Sequence, residues 1–369
     1  MASIQRRPDN RWRARYRDEA GKEHARHFDR KVDAQRWLDA ITASVVRGDY
    51  VDPKLGRTTV AAYVQAWLPA QPVRDSSRRA YGSYLRNHLL PALGEIRLSA
   101  VTRTQVLAFR RGVEAKLSPT TSRHVVALLA GIFADAVTDG FIAKSPCVDT
   151  VPQRPHREKV IPLTVEQVEA LIDAAPERYR GLVVLGAGCG LRLGEALGLK
   201  VHRVRFLERE LDVVEQLILV PGAPPRLAPP KTRGSVRTVP MADVVVTALA
   251  GHLAAFPAGT HDLLFRSRTG GPIWPNTFNN SVWQPLRRRA GLPTARFHDL
   301  RHFTASALIR YGESVKTVAA ILGHADETET LRTYSHLWPD ADIRTRAAVD
   351  AVFSACADSS RTGGSLPRL

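Results

Sequence analysis

Cysteine is scarce in these 369 residues: Cys147, Cys189 and Cys356 lie far apart, with no C-x-x-C pair. That excludes a disulfide framework and a cysteine-built zinc site. Long apolar runs are missing as well. No stretch approaches the roughly eighteen apolar residues of a membrane span, and the opening Met-Ala-Ser-Ile-Gln-Arg-Arg has no apolar h-region. The expectation is an intracellular, soluble protein with no membrane partner. Acidic residues number 36 against 53 lysines and arginines, and no acidic cluster has the form of a two-metal site. The glycines of Gly186-Ala-Gly-Cys-Gly190 match neither G-x-x-x-x-G-K-[ST] nor G-x-G-x-x-G. They read as close helix packing rather than a nucleotide loop. No internal repeat is apparent.

What is present is positive charge. The net charge is +17 with 44% hydrophobic residues, so the chain can build cores and carries a surplus suited to a polyanion. Residues 1–57 carry about +5, residues 58–159 about +7 and the remainder about +5. The excess is densest in the first two segments. A length of 369 residues predicts two or three domains.

The pattern predicts an α+β multidomain chain. Residues 1–57 form a small β-sheet with one helix, ending in a linker. Arg11, Arg13, Arg15 and Arg17 alternate with Trp12, Ala14 and Tyr16, which is a strand with one basic face. Asp18 to Lys22 is a turn and Glu23 to Phe28 a second strand. Lys31 to Val46 is a helix with Val32, Trp37, Leu38 and Ile41 towards the sheet. Such a face either enters a DNA groove or is a solvated edge. Residues 58–150 are all-α, with helices from Thr59, over Ser76–Leu89, Thr102–Glu114 and Pro119–Asp139. Arg78, Arg79, Arg86 and Arg123 decorate them as candidate DNA contacts, as do Arg103, Arg110 and Arg111.

Residues 151–160 are a proline-broken linker. Residues 161–357 are mainly α with a small antiparallel β-sheet. A capping-box helix starts at Thr164 with Gln167, and a strand spans Glu210–Val220. Pro221–Pro230 is a loop, strand character returns over Lys231–Val239, and a helix over Ser314–Leu322 stops at Gly323. Asp342 to Ala357 makes an apolar-faced helix, packed either on its own domain or on a neighbouring protomer. Residues 358–369 are a disordered tail.

Six residues of this last large segment suit phosphodiester chemistry. Cleavage by a side-chain hydroxyl needs an in-line nucleophile, neutralisation of the transition-state charge and a proton for the leaving oxygen. Arg192 (in Gly-Leu-Arg-Leu-Gly-Glu) and Arg301 (in His-Asp-Leu-Arg-His) offer planar forks for non-bridging oxygens. Lys231, His298 and His324 can move protons, and Tyr334 (in Arg-Thr-Tyr-Ser-His) supplies a hydroxyl. His298 and Arg301 share a helical face. Glu195 reads as a support for Arg192. His302 and His336 read as satisfying nearby backbone groups.

This ordered string resembles the tyrosine recombinase (phage integrase) family over residues ~160–353, with all six positions in the family's order. The resemblance implies that Tyr334 attacks the scissile phosphate to form a 3′-phosphotyrosyl link. Arg192, Arg301 and His324 would hold the phosphate. Lys231 would protonate the leaving 5′-oxygen, with His298 as the acid/base partner near Tyr334. No metal, ATP or other cofactor is implied. Residues 58–150 look like the family's SAM-like core-binding domain, and residues 1–57 resemble the arm-site-binding domain of an integrase. The implied partners are double-stranded DNA at core and arm attachment sites, further copies in a tetramer on DNA, and a host bending factor and a directionality factor. The place of action would be the bacterial nucleoid. Cys189 departs from the small polar residue usual at its position, which bears on packing. The alternatives are a Xer-like dimer resolvase, a type IB topoisomerase, and a catalytically silent DNA-binding regulator on the same scaffold.

Overall fold

The computed structural model describes residues 2–17, 21–46, 55–154, 159–220, 223–230, 233–259 and 261–338, together with 346, 349, 350 and 353. Lys231, the 18–20 part of the expected turn, most of the 342–357 helix and the 358–369 tail lie outside them. The chain divides into two compact units, residues 1–156 and 157–369.

The first unit opens with three strands, β1 (Ser3–Arg6), β2 (Trp12–Arg17) and β3 (Glu23–Phe28), antiparallel in the order β1-β2-β3. Period-2 alternation sorts β2. Ala14 and Tyr16 are buried under α1 (Lys31–Val46), while Arg13, Arg15 and Arg17 take the other face. Ala34 and Leu38 close the little core with Trp37 and Ile41. Val32, expected in that core, is 58% exposed, and Ala34, two positions on and so about 200° round the helix, is buried instead. Strand β1 has no sequence signal of its own, being four residues in which only Ile4 packs inward.

Helices then follow: α2 (Val60–Ala70), α3 (Asp75–Tyr84), a wide turn over Leu85–Leu89, α4 (Leu90–Leu93), α5 (Arg103–Glu114) and α6 (Pro119–Thr138). Three of them, α2, α5 and α6, start where a hydroxyl can take an otherwise unpaired amide. Thr59 accepts from the Ala62 amide, Thr102 and Gln105 make a reciprocal capping box, and Ser118 accepts from the Thr121 amide. Their apolar faces converge on Trp67, Leu89, Phe109, Leu129 and Phe133. Tyr63 donates to Asp139 and the Trp67 indole to Asp135, both at 2.6 Å, so the polar tips of these core aromatics are satisfied.

The second unit contains α7 (Val165–Asp173), α8 (Glu177–Cys189), α9 (Leu193–Leu197), β4 (Val204–Arg205), β5 (Glu210–Val213), β6 (Gln216–Val220), β7 (Ala223–Ala228), β8 (Arg237–Pro240), α10 (Asp243–Ala255), α11 (Pro275–Thr277), α12 (Gln284–Arg289), α13 (Phe297–Arg310), α14 (Val315–Leu322) and α15 (Glu327–Tyr334). Thr164 and Gln167 form the capping box that opens α7. The expected single strand over 210–220 is two. β5 joins β4 and β8 in one antiparallel sheet, whereas β6 pairs with β7. The chain leaves one sheet for the other beside Glu215, which is held 3.0 Å from Lys200. The expected proline loop is largely strand β7. Its Pro224 and Pro225 fall where the register shifts between the Ile218–Arg226 and Val220–Ala223 pairs, so their missing N–H groups interrupt the ladder at an irregularity.

The glycine run in α8 is a packing surface. A Cβ on Gly186 would stand 2.9 Å from Leu300 and Phe297 of α13, and one on Gly188 2.3 Å from Val245 of α10. Gly190 ends the helix at φ 62°, in the left-handed region that suits glycine. Cys189, buried between these contacts, is pushed up to about 12 by loss of solvent and is an inert core thiol. Among the described residues no helix is long and apolar enough to cross a membrane.

Candidate active site

The site is assembled where α8 ends and α9 begins, against α13, α14 and α15. Because the glycines let α13 pack closely on α8, Arg301 reaches the carbonyl of Gly190 with Nη1 at 2.9 Å. Arg301 is 1% exposed, and its Nη2 has no hydrogen-bond partner among the described residues. A buried guanidinium with an unspent donor is costly unless an anion completes it. Its pKa is lowered to about 9, first by loss of solvent and then by Arg192.

Arg192 precedes α9 and is held on two sides. Nη1 meets Glu195 at 2.8 Å, Nη2 reaches the Gly323 carbonyl at 3.3 Å, and the Glu195 carboxylate also takes the Arg192 amide at 3.0 Å. Glu195 is therefore a support for Arg192, and it has a second partner that sequence reasoning missed. Arg237 of β8 sends Nη2 to Glu195 at 3.0 Å, Nε to the Ile321 carbonyl at 2.6 Å and Nη1 to the Ser235 carbonyl at 3.0 Å. Burial opposes ionisation of Glu195, but Arg237 and then Arg192 hold its carboxyl below the usual range. The signal for Arg237 in the sequence was slight, a basic residue in strand alternation seven positions after Pro230, the last of a proline-rich stretch.

Gly323 turns the chain after α14 with φ 64°, and a Cβ there would meet Arg237 Nη1 at 2.7 Å. The next residue, His324, is set 2.6 Å from the hydroxyl of fully buried Thr330 by its Nδ1. Loss of solvent, then Arg301, Arg192 and Arg237, push the imidazole down to about 3. It is a neutral hydrogen-bonding group at physiological pH. His298, on the first turn of α13, is pushed down to about 4 by partial desolvation and then by His302, Arg301, Arg296 and Arg192.

Tyr334 ends α15. It is 1% exposed and packs with Ala305, Ile309, Val318 and Leu322. Burial pushes its hydroxyl up to about 12 against the pull of Arg301. His302 does not turn to a backbone group, as expected from sequence. Its Nδ1 lies 2.7 Å from Tyr334 Oη, the two rings meeting edge to face. His336 does meet a backbone group, the Val160 carbonyl at 2.8 Å.

Of the sequence-named residues, the structure thus gathers Arg192, Glu195, His298, Arg301, His302, His324 and Tyr334. Lys231 lies outside the described residues. The arginines proposed for DNA divide. Arg13, Arg15 and Arg17 surround one carboxylate, Glu23, at 3.2, 3.8 and 3.8 Å, leaving that sheet face cationic. Arg11 pairs with Asp29 at 3.2 Å, and Arg86 is exposed. Arg78 is a structural clasp instead: it donates to the carbonyls of Leu68, Pro69, Gln71 and Val73, closing the end of α2. Arg123 donates to the Pro152 carbonyl at 3.1 Å, and Arg79 is half-buried. Spacing cannot distinguish an arginine that binds a ligand from one that binds its own backbone.

Three family models match the chain: the phage integrase family over residues 162–340, the phage integrase N-terminal domain over 2–47, and the phage integrase N-terminal SAM-like domain over 59–112. Similar proteins include an integrase of Mycobacterium phage L5, 26% identical, with 80% of this chain and 82% of that one covered. Another is the tyrosine recombinase XerD of Corynebacterium glutamicum, 29% identical over 66% of this chain and 79% of that one. Among solved structures, the Tn1549 transposon integrase in complex with transposon right end DNA superposes with a TM-score of 0.67. It is 23% identical and covers 83% of this chain and all of that one.

Proposed function

Because the chain belongs to the phage integrase family of tyrosine recombinases, we propose that it integrates or excises a phage or other mobile element by cutting and rejoining DNA at Tyr334. The observation that carries this assignment of residues is the unspent Nη2 of buried Arg301, in a cationic cluster with Arg192 and beside a tyrosine hydroxyl. A phosphodiester oxygen supplies the missing acceptor.

In the proposed reaction Tyr334 Oη attacks phosphorus, a 3′-phosphotyrosyl bond forms and the bond to the 5′-oxygen breaks. Arg192 and Arg301 hold the non-bridging oxygens as negative charge grows. His324, kept neutral by the surrounding arginines, hydrogen-bonds the phosphate, and His298 serves as acid/base partner. Lys231 gives the leaving oxygen its proton. The phosphotyrosyl link conserves the bond energy, so the reaction proceeds without metal or ATP. The divisions 1–57, 58–150 and 161–357 correspond in this reading to arm-site binding, core-site binding and catalysis, joined by the 151–160 linker. The basic sheet face of Arg13, Arg15 and Arg17 supports the first. Partners are core and arm DNA, three further copies on DNA, and bending and directionality factors, acting at the nucleoid in the bacterial cytoplasm.

The test uses a nicked duplex carrying the core sequence read from the junctions of the element that encodes the chain. The unaltered protein traps a covalent adduct on it, in EDTA as well, and Tyr334→Phe traps none. An adduct that persists in the phenylalanine variant would refute the nucleophile. Deleting residues 1–57 removes arm-site binding and leaves core cleavage measurable. Lost cleavage by a folded truncation would refute the division of labour.

A further inference from the structure

The C-terminal end of α6 carries charge of the sign that a helix disfavours there. That end is the negative pole of the helix dipole and favours cations. Yet the last turn of α6 has no basic residue, Asp135 lies in it and Asp139 caps it. One oxygen of each is used inside the fold. Asp135 Oδ2 accepts from the Trp67 indole at 2.6 Å and from Gln71 at 3.3 Å, and Asp139 Oδ2 accepts from Tyr63 at 2.6 Å. Oδ1 of each accepts nothing from a described residue, and neither carboxylate has an ion-pair partner among the described residues. The charge is felt nearby. Burial first, then the bond to Asp139 and the charges of Asp139 and Asp135, raise the Tyr63 phenol.

Two adjoining clefts, of about 380 and 440 Å³, share Trp67, Gln71 and Asp135 as walls. Tyr63, Phe141 and Asp139 belong to the first, and Tyr81, Tyr84 and Gly131 to the second. The Trp67 and Tyr81 rings stand 6.4 Å apart and within 23° of parallel. No lysine or arginine lines either cleft among the described residues, although residues 58–159 carry about +7.

We propose that this aromatic groove binds a linear aliphatic polyamine, with an ammonium group on each aspartate and the methylene chain along the rings. Ring faces attract organic cations. Side chains four residues apart on a helix stand about 5–6 Å from each other, which is the separation of the ammonium groups in a short alkyl diamine. A hard divalent metal is served worse. It takes roughly six to eight oxygen ligands, and no group of three metal-binding side chains gathers among the described residues. The net charge of +17 opposes any cation at long range. At physiological salt that opposition is screened beyond about 8 Å, so the groups lining the groove decide. An occupant also relieves the repulsion of two like charges one turn apart and complements the negative helix end.

The experiment titrates the full chain, free of DNA, with putrescine, spermidine and butylamine by calorimetry, and locates binding by hydrogen exchange. Putrescine and spermidine are expected to saturate at one per chain and to slow exchange of α2 and α6 amides, leaving the second unit unchanged. Butylamine, with a single ammonium group, should bind about 10–100-fold more weakly. Asp135→Asn and Asp139→Asn keep an oxygen for Trp67 and Tyr63 but lose the charge, and each should weaken putrescine by a similar factor. Gly131→Leu enters open space, since nothing stands within 4 Å of a Cβ there. It should lower spermidine affinity with both carboxylates in place, and it carries the test if an asparagine variant fails to fold in thermal melts. The proposal is overturned by undiminished binding in the folded variants, by butylamine matching putrescine, by protection outside α2 and α6, or by no saturable binding. A triarginine peptide that binds where putrescine does not would make the groove a protein-docking site and overturn it equally. Adduct formation on DNA is measured separately, so failure here leaves the recombinase reading standing.

Discussion

Replacing Glu195 by alanine should cost the second unit about 3 kcal/mol of stability, chiefly because of what it leaves behind. Glu195 is 2% exposed and stands between two arginines. The Arg192 side chain is 34% exposed, so water and salt replace much of what its pair supplies. Arg237 differs: its side chain is 6% exposed, and its remaining bonds go to two neutral carbonyls. Breaking a buried pair by removing one partner typically costs ~3–5 kcal/mol, because an uncompensated charge stays behind. The two carbonyls place Arg237 at the low end. The sign with pH follows from the lowered carboxyl of Glu195. Its contribution is complete above the ordinary glutamate pKa of about 4.3 and disappears as pH falls through the lower folded value.

Hydrogen exchange of α8 and α13 amides in the full chain reads this unit separately from the first. Protection should fall about 100-fold in Glu195→Ala, since each ~1.4 kcal/mol is a factor of ten. The double variant Glu195→Leu with Arg237→Met removes both charges and should recover most of the protection without restoring cleavage, because Arg192 has lost its brace. Unchanged protection in Glu195→Ala, or a double variant less stable than the single one, would refute the reasoning.

Three other outcomes are expected. Gly188→Ala should lose about 1–3 kcal/mol from overpacking against Val245, seen as a lower thermal midpoint, whereas Gly131→Ala, with nothing within 4 Å, should not. His324 and His298 are held well below the ordinary histidine pKa, so the unfolded chain binds more protons from about pH 6.5 downward. Acidification from pH 6.5 to 4.5 should therefore destabilise the second unit, and His324→Asn should flatten that slope in pH-dependent denaturation. Arg78→Gln should lower the stability of the helical part of the first unit in urea melts. Its effect on core-site affinity, measured after allowing for the unfolded fraction, should be smaller than that of Arg86→Gln.

Much of the local structure was legible because it depends on neighbours in sequence. Thr59, Thr102, Ser118 and Thr164 mark helix starts through bonds that span only three residues. The alternation of Trp12 to Arg17 assigns the faces of β2. Failures came where a distant partner decides. The 210–220 segment reads as one alternating strand, yet β5 and β6 go to different sheets because β8 and β7 offer separate edges. Proline argued for a loop at 221–230, and the hairpin absorbs Pro224 and Pro225 at its irregularity. Arg78 reads as a surface cation until the end of α2 is folded beside it.

Sequence alone determined which residue types are on hand for phosphoryl transfer and in what order, since charge, nucleophilicity and helix periodicity are properties of residues and their near neighbours. Tertiary structure decided how they are used. Packing of α13 on the glycines of α8 buries Arg301 with a donor unspent. The approach of β8 to α14 brings Arg237 to Glu195, and the fold of α15 against α13 sets His302 on the hydroxyl of Tyr334. Each is a contact across 30 residues or more of chain, where position in space no longer follows from position in sequence.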